Sequence, residues 1–581
     1  MVKGLKLKQK TKSTKDTLKE DPPFSEKIYL FFAVLISILV FLYWKPITSG
    51  TTLNFDDQVI LTPLYNVHSF SDYIELVKDN TIFDLQPIRD LSYILEIKLA
   101  RFFQITLHPQ AVNLFLWIFS LFILYKIFIL EEIPKQISIL SLSLISLHPV
   151  AVNSIAWASG RKHVLTMLFI LAATYCLLQW LKNRKRYSLF LSILFYTLSC
   201  LAQPINLGWI LWVFYLFKKR EKLDRWTSTT NYFIFILFLI GFIIGIANIY
   251  YYASERYLDH LGEKFIYEGW DFLGNRILIF GRFFIQLVLP IQPSITSYDP
   301  TSPLALIGFI LLLSFLYLFY KFKNENLFIW GLFTIIPTIV SNGPSNQHFG
   351  WDTYLLTPLA GSGLMLGIFL KIYKLNSSKI YFTFLPILFL YSIQTKITAD
   401  AWLNDETLWN YSLKHERTQS SYSGYLKTNL SLRKNISDLW PILNEFKNKY
   451  PKHPDIPYIY GRMILEDKQI DIVKKRELFQ RENSDNPWFI YYYSAFDASQ
   501  KNFIDAEKRL LNLFQVNRKN AILNFKDKNT EVLAALYAMC RFGDGKDCKS
   551  KIESIQSNIP SRKFSEKDFR DRLSTFHLTY E

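Results

Sequence analysis

Cysteine is nearly missing from this chain, with four in 581 residues, too few for a metal cluster or a disulfide framework. Cys176 and Cys200 lie inside apolar runs, where packing is the default role. Cys540 and Cys548, in "CRFGDGKDC", could close a short loop in an oxidising compartment. Charge is sparse too: 20% of residues are charged, against 50% hydrophobic and 17% aromatic, far from an average soluble domain. No HExxH, P-loop, glycine-rich dinucleotide turn or Cys/His metal spacing is present, so no motif implies a cofactor. Carboxylates alone can hold Mn²⁺ or Mg²⁺, but two adjacent aspartates without a third nearby acid are a weak metal signal. A cleavage pattern of small residues is missing after Trp44, so the first apolar run is not a signal peptide.

What is abundant is apolar sequence. Runs of about 15 to 23 residues recur between Ile28 and Thr395, each near the length a helix needs to cross roughly 30 Å of hydrocarbon. The expected fold class is therefore an all-α, polytopic membrane protein. Residues 1–27 carry eight lysines and almost no apolar content, the composition of a disordered cytosolic tail. The formal charge of +17 clusters at the ends of the runs, which marks topology and not a nucleic-acid partner. With the tail inside, spans at Ile28–Trp44, Ala111–Leu130, Ile137–Ala158, Val164–Leu181, Tyr187–Ala202, Ile205–Phe217 and Tyr232–Tyr252 put "KNRKR" and "KKREKLDR" inside as well. The segment 272–290 contains Arg276, Arg282 and Gln286. Reading it as re-entrant or interfacial keeps "KFKNE" and "KIYKLNSSK" on the cytosolic side. About eleven spans then fill residues 28–396, and the chain after Lys396 lies outside.

On this topology the polar clusters share the outer side: "NFDD" at Asn54–Asp57, "HPVAVNS" at His148–Ser154, "GRK" at Gly160–Lys162, "AQP" at Ala202–Pro204, Arg276 with Arg282, "SYDP" at Ser297–Pro300 and "GWDTY" at Gly350–Tyr354. Ionisable groups at a membrane edge are costly unless they serve a site, so the convergence implies an outward-facing polar cavity. The first outer loop, 45–109, ends in "LSYILEIKLARFFQITL", whose apolar positions recur with helical spacing around Glu96, Lys98 and Arg101. An amphipathic helix lying in the interface is expected there.

An acidic pair beyond the first span beside such a helix resembles the GT-C class of membrane glycosyltransferases. Within it, the chain is most similar to the transmembrane and tetratricopeptide-repeat O-mannosyltransferases and their bacterial relatives. "FDD" at Phe55–Asp57 matches that family's acidic pair, and "DLQPIRDLSYILE" its Arg-Pro-Leu segment, with Gln86 in place of the arginine. "HPVAVNSIAWASGRKHVL" resembles its His-Pro loop and following Gly-Arg. "LAQPINLGWI" resembles its Lys-Pro entry, with Gln203 for lysine. "RFFIQLVLPIQPSITSYDP" resembles its Arg-containing stretch and Tyr-Asp turn, "WDTYLLTP" its Asp-Arg-Tyr segment with Thr353 for arginine, and "WLNDETLW" the join to the repeat domain. Asn153 stands where a glutamate is common and His163 where an acid is common. The resemblance implies a GT-C-type bundle and a sugar, mannose among the candidates, carried on a polyprenyl phosphate that enters from the lipid. The acceptor would arrive from outside, a protein Ser or Thr hydroxyl being the natural case.

The residues fit such chemistry. Attack on an anomeric carbon needs a base for the acceptor hydroxyl, which a partly desolvated carboxylate near the membrane can supply. Adjacent residues on a helix diverge by about 100°, so Asp56 is assigned as base and Asp57 as a binding or capping group. The phosphate leaving group calls for cations, with Arg161, Lys162, Arg276 and Arg282 the candidates. Arg276 and Arg282, at i and i+6, lie on different faces, so at most one meets phosphate. His148, Asn153, His163, Gln203, Tyr298, Asp299, Asp352 and Tyr354 are the substrate-binding candidates. Plainer readings stand beside these. The aspartates could simply start a solvated helix, His148 could end one, Arg161 and Lys162 could anchor a span among headgroups, and Tyr298–Asp299 could be a turn.

From Ala401 onward helical stretches alternate with Pro/Asn/Lys turns. "NPWFIYYYSAFDASQKNFIDAEKRLLNLFQVNRKN" has the length of one helix-turn-helix repeat of about 34 residues, with Ala506 and Leu510 at packing spacing. The expected organisation is a tail (1–27), a membrane domain (28–396), a TPR-like or generic helical outer domain (401–556) and a polar tail (557–581). A stacked repeat domain would offer a concave, aromatic-rich surface to a protein or glycan acceptor. The setting is the inner membrane of a bacterium, or the endoplasmic reticulum of a eukaryote. The substitutions at Gln86, Asn153, His163, Gln203 and Thr353 keep a second reading open: a catalytically degenerate scaffold that binds lipid or a partner.

Overall fold

The computed structural model describes residues 26–53, 57–78, 85–203, 206–221, 228–252, 281–290, 295, 303–322, 325–335, 352–373, 377–451, 453, 455–482 and 487–510. Among them every regular element is a helix. The segment 43–108 holds four helices after α1 (Glu26–Leu42): α2 (Trp44–Ser49), α3 (Asp57–Leu64), α4 (Phe70–Lys78) and α5 (Pro87–Phe103). The bundle continues with α6 (Pro109–Leu130), α7 (Lys135–Ser146), the short α8 (Val152–Ile155), α9 (Arg161–Asn183), α10 (Arg186–Ala202), α11 (Leu207–Glu221) and α12 (Ser228–Tyr252). Residues 281–288 are helical, followed by α13 (Pro303–Phe322), α14 (Asn326–Ile335), α15 (Leu356–Ile372) and α16 (Ser377–Ala401).

Segments Pro109–Leu130, Ala158–Asn183, Thr353–Ile372 and Phe382–Ala401 are long and apolar enough to cross a membrane. These segments and neighbouring helices expose large apolar side chains that only lipid solvates well, among them Phe115 on α6, Phe242 on α12 and Phe389 on α16. The protein is thus a helical membrane protein. The stretch expected to span at Ile137–Ala158 is broken: α7 stops at Ser146, and the chain bends by 50° before Pro149–Ile155, the two pieces together being long and apolar enough for a broken span or a re-entrant loop. Pro149 has no N–H to continue the ladder and forces His148 into an extended conformation, φ −70°, ψ 127°. The carbonyl left open at the break is taken by Thr395 Oγ1 of α16, 2.8 Å from Leu147 O.

Contacts sort the loops between two ends of the bundle. Lys45 beyond α1 pairs with Asp400 at 2.8 Å, and Thr51 N donates to Leu403 O at 3.1 Å. The segment after α1 and the start of the C-terminal helices therefore share one end. At the other, Lys371 Nζ donates to Glu131 O (2.9 Å) and Lys321 Nζ to Tyr373 Oη (2.7 Å). Lys321 and Lys371, from two of the basic stretches, thus lie at that end.

After the bundle come α17 (Asp405–His415), α18 (Gln419–Ser431), α19 (Trp440–Lys449), α20 (Asp455–Glu466), α21 (Ile472–Glu482) and α22 (Pro487–Ser499). They bury a core of their own, in which Tyr422 stacks on Phe446 and Phe479 on Tyr493. Side-chain caps at Asn404 and Thr418 start α17 and α18, each closed into a reciprocal capping box. Within the expected repeat, α22 ends at Ser499 and the chain turns through Gln500–Asn502 into a further helix, where Ala506 and Leu510 are both buried.

Candidate functional site

The site is built around α5, which is amphipathic in an inverted sense. Its exposed apolar positions Leu91, Leu95, Leu99 and Phe102 recur at i, i+4, i+8 and i+11, and the exposed Lys98 and Arg101 near its C-terminal end donate to His68 O (3.0 Å) and Tyr65 O (2.7 Å). Its buried face carries Arg89, Asp90, Tyr93 and Glu96. A helix whose polar face turns inward and whose apolar face turns out suits lipid outside and a polar site beneath. The helix read from the sequence over this stretch is present, with Arg89, Asp90 and Glu96 buried and Lys98 and Arg101 exposed.

Under α5 lies a buried charged node. Arg161, at the first turn of α9 and fully buried, forms an ion pair with Glu96 and donates through Nε to Asn113 Oδ1 (2.9 Å) and through Nη2 to Pro109 O (3.0 Å). Its guanidinium sits 4.0 Å from the Tyr93 ring centroid, and Tyr93 Oη donates to Ala158 O at 2.5 Å. Asn113 Nδ2 donates to Trp157 O at 2.9 Å, which ties α6 to the same turn. Burial pushes the Glu96 carboxyl above its ordinary range, and the neighbouring Arg161 pulls the other way. Further along the same face, Arg89 Nε reaches Asp90 Oδ1 at 2.8 Å, and Tyr73 Oη donates to Asp90 Oδ2 at 3.1 Å.

Asp57 joins this node from the start of α3. It is fully buried; Leu53 N donates to its Oδ2 and Ser159 N to its Oδ1, both at 2.9 Å, and Ser159 Oγ adds a further short contact. A carboxylate holding three donors in one geometry pins the loop before α3 onto the turn before α9. Asp56, assigned as base, lies outside the described residues.

A second cluster forms further along α9. His163, Gln203 and Tyr354, all named from the sequence, line one small polar cavity together with Thr166, Asn206, Thr334 and Thr353. The rings of His163 and Tyr354 meet edge to face, with centroids 5.2 Å apart. Arg89 of α5 is close enough to His163 to act on it electrostatically. Half-buried Lys162 neighbours His163 on α9.

The remaining candidates separate. His148 packs its ring 4.8 Å from Tyr391 and accepts from Val150 N at 3.3 Å, while Asn153 Oδ1 accepts from Trp402 Nε1 at 3.0 Å. Both therefore dock the His-Pro loop against α16 and the chain after it. Arg282 is buried in the helical stretch 281–288, beside the equally buried Gln286. Asp352 starts a short 3₁₀ turn, Asp352–Leu355. Arg276, Tyr298, Asp299, Cys540 and Cys548 lie outside the described residues. Among those described, no three His, Cys, Asp or Glu side chains group as a metal site would need.

Sequence reasoning missed Glu96 and Asn113 as members of the site. A single amide inside the apolar run "AVNLFLWIFS" was the available signal for Asn113. Ser159 and Thr166 carry no signal a lone sequence could offer. In comparison with known proteins, no family model, no curated protein and no solved structure matches this chain.

Proposed function

We propose that the protein is a GT-C-type membrane glycosyltransferase that moves a sugar, mannose among the candidates, from a polyprenyl-phosphate carrier to an outer acceptor such as a protein Ser or Thr hydroxyl. What supports the reading is one arrangement: the lipid-facing apolar stripe of α5 overlies a buried set of charged and hydrogen-bonding groups drawn from α3, α5, α6, α9 and the Thr353 turn. A lipid-linked donor would slide along the stripe while its polar head meets the groups beneath. Asp56 acts as base, Asp57 orders its loop, and Lys162, Arg276 or Arg282 meets the phosphate. Arg161, already paired with Glu96, positions the α9 turn. In this reading about eleven spans put the lysine-rich tail in the cytosol, and a TPR-like domain outside presents the acceptor.

A second reading has an observation of its own. The Asp57 carboxylate and the Arg161 Nε and Nη2 groups are held by protein partners, as they would be in a scaffold that had kept the architecture and lost the reaction. Transfer of labelled sugars by the full-length protein in membranes, compared with Asp56→Asn and Asp57→Asn, separates the two. Loss of transfer in Asp56→Asn is expected. Transfer retained by both variants removes the catalytic pair, and no transfer from any donor selects the scaffold.

A further inference from the structure

The cavity behind His163 has a chemistry of its own. Its polar lining consists of threonine hydroxyls, two amides, an imidazole and a phenol, with no charged side chain. Thr334 Oγ1 and Asn206 Nδ2 already donate to Gly331 O (2.7 Å) and Ser199 Oγ (2.6 Å). Thr166 Oγ1 and Thr353 Oγ1 are buried with no hydrogen-bond partner among the described residues, and Gln203 Oε1 is buried beside the His163 ring with acceptor capacity to spare. These three residues are 1%, 8% and 1% exposed and come from separate parts of the bundle, yet all line the same hole. Inside a membrane bundle every unpaired polar group is costly, and valine would fill either threonine position without that cost.

We propose that this cavity binds one neutral hydroxyl oxygen, either that of a water molecule or that of a sugar in the transfer proposed above. Such a group can donate to Gln203 Oε1 and exchange hydrogen bonds with the two threonines, whose hydroxyls both donate and accept. Phosphate is disfavoured because no cation lines the hole. The volume, about 10 Å³, admits a single oxygen and not a ring. Only the sugar source rests on the transferase reading.

The test uses full-length protein in lipid nanodiscs with Thr166→Val, Thr353→Val and Thr353→Ser. Both valine variants are expected to unfold at lower temperature than the wild type, and Thr353→Ser, which keeps the hydroxyl, to melt near it. Valine variants that melt at or above the wild type overturn the site, because a methyl group improves a dry cavity. A serine variant that falls as far as the valine one also overturns it, since methyl packing would then explain the loss. Sugar transfer identifies the source. A loss of about tenfold in the valine variants, with serine active, assigns a sugar hydroxyl; unchanged transfer with lowered melting assigns water. If the wild type transfers nothing while the valine variants still melt lower, the hydroxyl site stands and the transferase reading falls.

Discussion

At the level of single residues, the Arg161–Glu96 pair is the most exposed to test. Both groups are buried, and removing one partner of such a pair typically costs about 3–5 kcal/mol, because the other is left charged in a low dielectric. The direction of the Glu96 shift adds a pH dependence. A folded-state pKa above the unfolded one means folding favours the protonated form. That contribution is complete below the ordinary carboxylate range and is lost as pH rises through the raised value. Thermal unfolding across mildly acidic to neutral pH should therefore show stability declining, and Glu96→Gln should flatten the decline. Arg161→Met should be more damaging at neutral than at acidic pH, since protonated Glu96 needs no cation. An equal loss at both would mean that the pair is ionised throughout.

Individual helices carry two further predictions. The outward stripe of α5 implies lipid contact, so Phe102→Trp should fluoresce in reconstituted membranes and be quenched by brominated lipid. A Trp readily quenched by aqueous iodide instead would place α5 in water. Deeper in the bundle, α14 and α15 touch through Gly331 and Gly361: a Cβ on Gly361 would lie 2.5 Å from Thr334 Oγ1 and 2.9 Å from Gly331 Cα. Small residues permit such close approach between membrane helices. Gly361→Val should therefore lower the melting temperature and disturb the adjacent cavity, whereas a valine melting like the wild type would show that the pair can separate freely. The helices themselves were legible: α5, α6, α9 and α10 fall close to their apolar runs. The break at His148 was legible only as an alternative, because a His-Pro step fits both a helix end and a loop contact. The direction in which α5 faces was not legible, since spacing reveals an amphipathic helix but not which face meets protein.

Across the whole molecule, the two ends of the bundle can be addressed from opposite sides of the membrane. Lys371 lies at the end with Glu131 and Tyr373, and the helices carrying Lys427 follow the end joined by Lys45–Asp400. Single cysteines at Lys371 and Lys427 should accordingly react with a membrane-impermeant reagent from opposite sides, Lys427→Cys from outside. Labelling of both from one side would contradict the expected topology.

Composition and run length by themselves determined that this is a helical membrane protein, because the bilayer acts on every residue of a span through one term, transfer from water. The same reasoning brought Asp57, Arg161, His163, Gln203 and Tyr354 to one side. Only the tertiary structure decided how they divide: Asp57 and Arg161 into a charged node closed by Ser159, Glu96 and Asn113, and His163, Gln203 and Tyr354 around a neutral cavity. Such partnerships depend on distances between helices far apart in the chain, and hydrogen bonds form or fail within a few tenths of an ångström. No local pattern of residues encodes that.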